Sequence, residues 1–187
     1  MKPLYMTAAA AASLLVLAAC SGPSETDTTP TEPEVAAFAD VTDARLDAAA
    51  STPTEWLSYG FDREETRHSP LTSISTENVA ALGVAWTYDL DTSRGVESPP
   101  LVIDGVMYVT SAWSVVYALD AKTGEELWVY DPDVDRAVGV NACCDVVNRG
   151  VAVYEGKVYV GIIDGRVEAL DAESGEVIWS HVTVAQS

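Results

Sequence analysis

The chain has 187 residues, of which 48% are hydrophobic and 21% charged, a composition that places it among globular proteins. With 29 acidic residues against 10 basic ones its formal charge is -19, which excludes nucleic acid as a partner, because phosphate wants a basic surface. An acidic surface of this kind reads instead as solubility outside the cytoplasm.

Met1 to Ala19 carries one basic residue, Lys2, ahead of an apolar run from Ala8 to Leu17, the layout of a secretory signal peptide. The run is too short and too rich in alanine for a membrane span. It closes on Leu17-Ala18-Ala19-Cys20, which resembles the lipobox of bacterial lipoproteins. That resemblance implies that Cys20 is acylated and becomes the new N-terminus. The chain would then be exported and held on the periplasmic side by a lipid anchor. The plainer alternative is a cleaved signal with a chance cysteine.

Residues 20–50 hold the lipidated cysteine and a stretch of Ser, Thr, Pro and Ala. Glu25, Asp27, Glu32, Glu34, Asp40, Asp43 and Asp47 stand there against one basic residue, Arg45. This composition cannot bury a core and predicts a solvated tether, with at most a helical turn or two around Val41–Ala50.

Residues 51–187 form the folded part, and its character changes at Trp56, where aromatics, turn residues and a proline arrive together. Val84 to Leu90 alternates large apolar with smaller or polar residues, the period of a half-buried strand. An internal repeat follows. Asp104-Gly105-Val106-Met107-Tyr108-Val109 returns as Glu155-Gly156-Lys157-Val158-Tyr159-Val160, and Ala118-Leu119-Asp120 through Gly124 to Trp128 returns as Ala169-Leu170-Asp171 through Gly175 to Trp179, both at an offset of about 51 residues. Each unit reads as a glycine hairpin turn, a strand, a second strand ending at Ala-Leu-Asp, a turn, and a third strand finishing in tryptophan. One such sheet exposes both faces, so the sheets must stack.

The pattern Ala-x-Asp-x-x-x-Gly-x-x-x-Trp resembles the tryptophan-docking motif of quinoprotein propellers, in which each tryptophan packs between neighbouring blades. Trp128 and Trp179 match it in full; Trp86 has only the terminal position and reads as a related strand.

Between the two repeats lies Cys143-Cys144-Asp145-Val146-Val147-Asn148-Arg149-Gly150. A bridge between adjacent cysteines stores strain, because their Cα atoms stand closer than most disulfides allow. Together with Trp56-Leu57-Ser58-Tyr59-Gly60, Thr66-Arg67-His68-Ser69-Pro70-Leu71, Glu97-Ser98-Pro99-Pro100-Leu101 and Trp113-Ser114-Val115-Val116-Tyr117, this run is similar to alcohol dehydrogenases that use pyrroloquinoline quinone (PQQ). The resemblance implies an all-β fold, an eight-bladed β-propeller of which the chain holds the first two or so blades.

It also implies cofactor-binding roles. Cys143 and Cys144 would form an adjacent-residue disulfide lying against one face of the quinone. Arg149 would contact the acidic cofactor, its planar fork of donors always protonated, and Glu97 would hydrogen-bond the quinone edge. Asp145 and Asn148 read as turn residues holding the loop by side-chain to backbone bonds. His68 and His181 have no metal-type partners at useful spacing. No catalytic residue and no metal ligand is expected within this chain: the ligands of a calcium or lanthanide ion, the catalytic aspartate and the opposing tryptophan lie beyond Ser187 in the family pattern. The full-length protein would oxidise an alcohol and pass electrons to a cytochrome-type acceptor, whereas the chain alone would be inactive. The alternative is a non-catalytic propeller lipoprotein acting as a scaffold, which leaves the cysteine run unaccounted for.

Overall fold

The structure, a computed structural model, describes residues 38–184. The expected signal peptide and Cys20 lie outside the described residues. Each repeat folds as a four-stranded antiparallel meander. β1 (Leu101–Ile103), β2 (Val106–Thr110), β3 (Val116–Asp120) and β4 (Glu126–Tyr130) pair in chain order, as do β5 (Ala152–Tyr154), β6 (Lys157–Gly161), β7 (Arg166–Asp171) and β8 (Val177–Val182).

The turns explain why the repeat has the sequence it has. Asp104 and Gly105 sit at φ 51° and 80°, and Glu155 and Gly156 at φ 48° and 71°. Two positive φ values in a two-residue loop give the hairpin whose twist matches that of its strands. In the longer turn, Asp120 accepts at one carboxylate oxygen from the Lys122 and Thr123 amides at 2.9 and 2.7 Å and from the Thr123 hydroxyl at 2.9 Å. Asp171 does the same with Glu173 and Ser174. Both aspartates are held below the usual carboxylate range, first by the backbone amide of Thr123 or Ser174. Even the bulges coincide, at Ala118/Leu119 and Ala169/Leu170.

Tryptophans join the layers. The Trp128 indole donates to the Ala172 carbonyl at 3.2 Å, and its ring lies so flat on Gly175 that a Cβ there would stand 2.7 Å from Trp128 Cε3. Tyr108, fully buried, donates from its hydroxyl to the same carbonyl at 3.0 Å. Around these contacts Leu101, Ile103, Val116 and Ala118 of the first sheet meet Val158, Val160 and Leu170 of the second in one apolar cluster.

Trp86 corrects the expectation drawn from its incomplete motif, for it docks as Trp128 does. Its indole donates to Ala121 O at 3.3 Å, and a Cβ on Gly124 would fall 2.5 Å from its ring. The contact runs from each tryptophan to the glycine turn of the following sheet, so the residues preceding Trp86 do not enter it. The strand expected at Val84–Leu90 does not form: the segment has no regular secondary structure and pairs with no strand among the described residues. It lies on the first sheet through alternate side chains, Tyr88 bonding Glu126 and packing on the Tyr117 ring at 5.8 Å. At the other end, β8 is exposed along its length, and Trp179 is 40% exposed against 9% for Trp128.

Residues 38–50 also depart from the expected tether. Ala39, Val41 and Ala49 are buried. Val41 O and Ala39 O accept from the Glu155 and Gly156 amides at 3.0 and 3.2 Å, while the Ala39 amide donates to Asp104 at 3.0 Å. Arg45 then pairs with both Glu55 and Asp104, at 2.5 and 2.6 Å. Three small side chains suffice because the backbone itself straps the two hairpin turns together. A short helix, α1 (Asp43–Asp47), capped by the Thr42 hydroxyl, carries Arg45 to its partners. The folded unit thus includes residues 38–50 as well as residues 51–184.

Candidate cofactor site on the loop between the sheets

The loop from β4 to β5 is built on Trp113 and Ser114, both in the left-handed region at φ 64°. The Trp113 amide donates to Val146 O at 2.8 Å, and the Arg136 guanidinium stacks over the Trp113 ring at 4.4 Å. A Cβ on Gly139 would come within 2.9 Å of the same ring. Val146 is buried beneath the loop. With its underside fixed in this way, the loop turns Cys143 and Cys144 outward, where both are exposed.

The two cysteines stand as free thiols with their sulfurs 2.7 Å apart, beyond a disulfide bond of about 2.05 Å. The Cys144 thiol is pushed up, chiefly by its bond to the Cys143 sulfur; Arg149 opposes this and Glu97 adds to it. Arg149 pairs with Glu97 at 3.0 Å, the two side chains 64% and 47% exposed. The four residues that the sequence singles out therefore come together from two segments about 50 residues apart.

Asp145 lies in the left-handed region at φ 71°, but against expectation its carboxylate pairs with Arg94 at 2.6 Å rather than with backbone. Asn148 holds the loop through Gly150 N and Gly161 O, both at 2.9 Å, and also through the hydroxyls of Thr110 and Ser114, at 2.9 and 3.2 Å. Gly150, at φ 106°, passes so close to Pro99 that a Cβ would lie 3.3 Å from Pro99 O. Arg94 is the residue that sequence reasoning missed. The available signal was its position three residues before Glu97 in a chain with only 10 basic residues. His68 and His181 are both exposed, and no group of three His, Cys, Asp or Glu side chains suited to a metal occurs among the described residues.

Chemically, the site offers an always-charged planar fork, a carboxylate beside it and two polarisable sulfurs side by side on a rigid base. That donor set can meet one carboxylate with the guanidinium and a flat ring face with the sulfurs.

A sequence model of the PQQ family, described as glucose/ethanol/alcohol dehydrogenase, beta-propeller domain, matches residues 56–185. The 1-butanol dehydrogenase (cytochrome c) of Thauera butanivorans is 58% identical over 130 residues, which cover 70% of this chain and 19% of that protein. Among solved structures, the quinohemoprotein alcohol dehydrogenase ADHIIG of Pseudomonas putida HK5 superposes with a TM-score of 0.78 at 55% identity, over 80% of this chain and 22% of that one. A europium-containing methanol dehydrogenase superposes with a TM-score of 0.71 at 37% identity, over 76% and 25%. The chain thus spans about a fifth of the length of such relatives. On its repeat, its docked tryptophans and this match, the chain belongs to the β-propeller family of PQQ-dependent glucose, ethanol and alcohol dehydrogenases.

Proposed function

We propose that the chain is the N-terminal portion of a PQQ-dependent alcohol dehydrogenase and carries one wall of its quinone site. The observation that carries this reading is the meeting of Cys143, Cys144, Arg149 and Glu97 on one exposed loop surface. When bound, the quinone supplies a two-electron acceptor for hydride from an alcohol carbon. Arg149 holds an acidic edge of the ligand, and Glu97 both steers that guanidinium and offers an acceptor to the ring edge. The thiol pair, oxidised to a disulfide in an oxidising compartment, becomes a rigid plate that covers one ring face and excludes water from it.

The remaining parts of the proposal come from the relatives. The names of two of them, a cytochrome c-linked butanol dehydrogenase and a quinohemoprotein, support an alcohol substrate and a cytochrome-type acceptor. The europium-containing neighbour supports a lanthanide, or calcium in its place, held by ligands from other repeats. Export, acylation of Cys20 and a periplasmic, membrane-anchored location complete the reading, and the chain by itself is inactive.

Equilibrium dialysis of PQQ against the full chain tests the wall. Binding should weaken about tenfold in Arg149→Ala, the loss of one charge-assisted contact, and also in the double serine variant of the cysteine pair. Equal retention by all three chains would overturn the assignment.

A further inference from the structure

The two arms of the proposed site meet underneath it. Thr110, at the end of β2, is fully buried. Its amide donates to the Ser98 hydroxyl at 3.0 Å, next to Glu97, and its own hydroxyl donates to Asn148 Oδ1 at 2.9 Å, next to Arg149. One residue therefore sets the register of both members of the Glu97–Arg149 pair.

Asn148 completes the junction. Its oxygen accepts from Thr110 and from the Gly150 amide, and its nitrogen donates to the Ser114 hydroxyl and to Gly161 O at the end of β6. All four hydrogen-bonding positions of the carboxamide are used, and they reach the first sheet, the turn at Trp113–Ser114, the second sheet and the loop itself. No other side chain of this size offers two acceptor and two donor positions in one plane. Aspartate lacks both donors, leaving the Gly161 carbonyl without its partner.

We propose that Asn148, bonded to Thr110, is a positioning residue that holds Arg149 beside Glu97 and Cys144; this rests on the reading of the loop as a quinone wall. Asn148 does not touch the ligand. Its action is to hold the backbone at 148–150 fixed between the two sheets, so that the exposed Arg149 side chain leaves from a defined point.

The test uses the reduced full chain and reads the pH dependence of iodoacetamide alkylation at Cys143 and Cys144. Arg149 favours the thiolate of Cys144, so Arg149→Ala should move the alkylation midpoint to higher pH. Asn148→Ala should move it in the same direction, and the double variant no further than Arg149→Ala alone. A residue that merely stabilises the fold would lower the melting temperature and leave the midpoint in place; that result, or a midpoint unmoved by Arg149→Ala, overturns the proposal. Should Asn148→Ala fail to fold, Thr110→Val removes a single hydroxyl bond while keeping the amide contact to Ser98, and should shift the midpoint in the same direction. PQQ dialysis run in parallel separates the two ideas. A wild-type chain that binds no quinone contradicts the function proposed for the loop, whereas the alkylation profile still decides for or against Asn148.

Discussion

Substituting Gly175 by alanine separates the docking contact from the turn it sits on. Gly175 has φ 74°, and an added Cβ would stand 2.7 and 2.8 Å from Trp128 Cε3 and Cδ2. An L-residue in that backbone region costs about 1–2 kcal/mol, and forcing a methyl against a packed ring costs about 1–3 kcal/mol more. Gly105 is the matched control: its φ is 80°, yet nothing lies within 4 Å of its missing Cβ. Gly105→Ala should therefore show only the backbone cost, and the difference between the two variants, about 1–3 kcal/mol, reports the ring contact alone. Urea denaturation followed by tryptophan fluorescence measures both. Gly124→Ala, whose Cβ would meet Trp86 at 2.5 Å, should behave like Gly175→Ala. If Gly175→Ala and Gly105→Ala destabilise equally, Trp128 does not dock on that turn and the account of how the sheets stack is wrong.

Other consequences can be measured separately. Tyr88 is pushed up to about 12, first by donating to Glu126; the folded state holds that proton more tightly than the unfolded chain. Its contribution to stability is whole below about pH 10 and is lost as the pH rises through about 12. Spectrophotometric titration should show a late tyrosine that returns toward normal in Glu126→Gln; an unchanged titration refutes the bond. Asp120 and Asp171 are held low by their turn amides, so their contribution is present above the ordinary carboxylate range and disappears as the pH falls through their lowered values. Asp120→Ala should accordingly flatten the acid side of the stability profile. Arg45→Ala releases Glu55 and Asp104 from a partly exposed pairing, which should cost about 1 kcal/mol. It should also speed proteolytic cleavage within residues 38–51; unchanged cleavage would mean that the backbone bonds hold the strap alone.

How much of this was legible in the sequence depended on whether the contact partners share a repeat. The turn at Asp120–Gly124 is local, since an aspartate and the amides two and three residues later suffice to specify it, and the sequence pattern shows it twice. The docking of Trp86 is not legible in its own motif because its glycine, Gly124, belongs to the next repeat; the pattern aligns each tryptophan with its own glycine, while the physical contact skips forward by one sheet. Residues 38–50 looked like tether because composition averages over a segment. Three small buried side chains and backbone bonds to Glu155 and Gly156 leave no hydrophobic run to notice.

At the site, the cysteine pair, Arg149 and Glu97 were readable by resemblance, whereas their convergence was not, since Glu97 arrives from a segment with no periodic signal. The Arg94–Asp145 pair and the bonds from Asn148 to Thr110 and Ser114 join residues 34 to 51 apart in sequence. Such partners are set by the path of the chain between the two sheets, and local spacing carries no mark of them.

The central claim is that the surface formed by Glu97, Cys143, Cys144 and Arg149 faces the quinone. Two-dimensional amide NMR of the isotopically labelled full chain, recorded as PQQ is added, tests it even where binding by a single wall is weak. The progressive shifts should cluster at residues 94–98 and 143–150, and Arg149→Ala should displace their midpoint to about tenfold higher quinone. Shifts centred on the exposed face of β8 instead, or none at millimolar quinone, would contradict it.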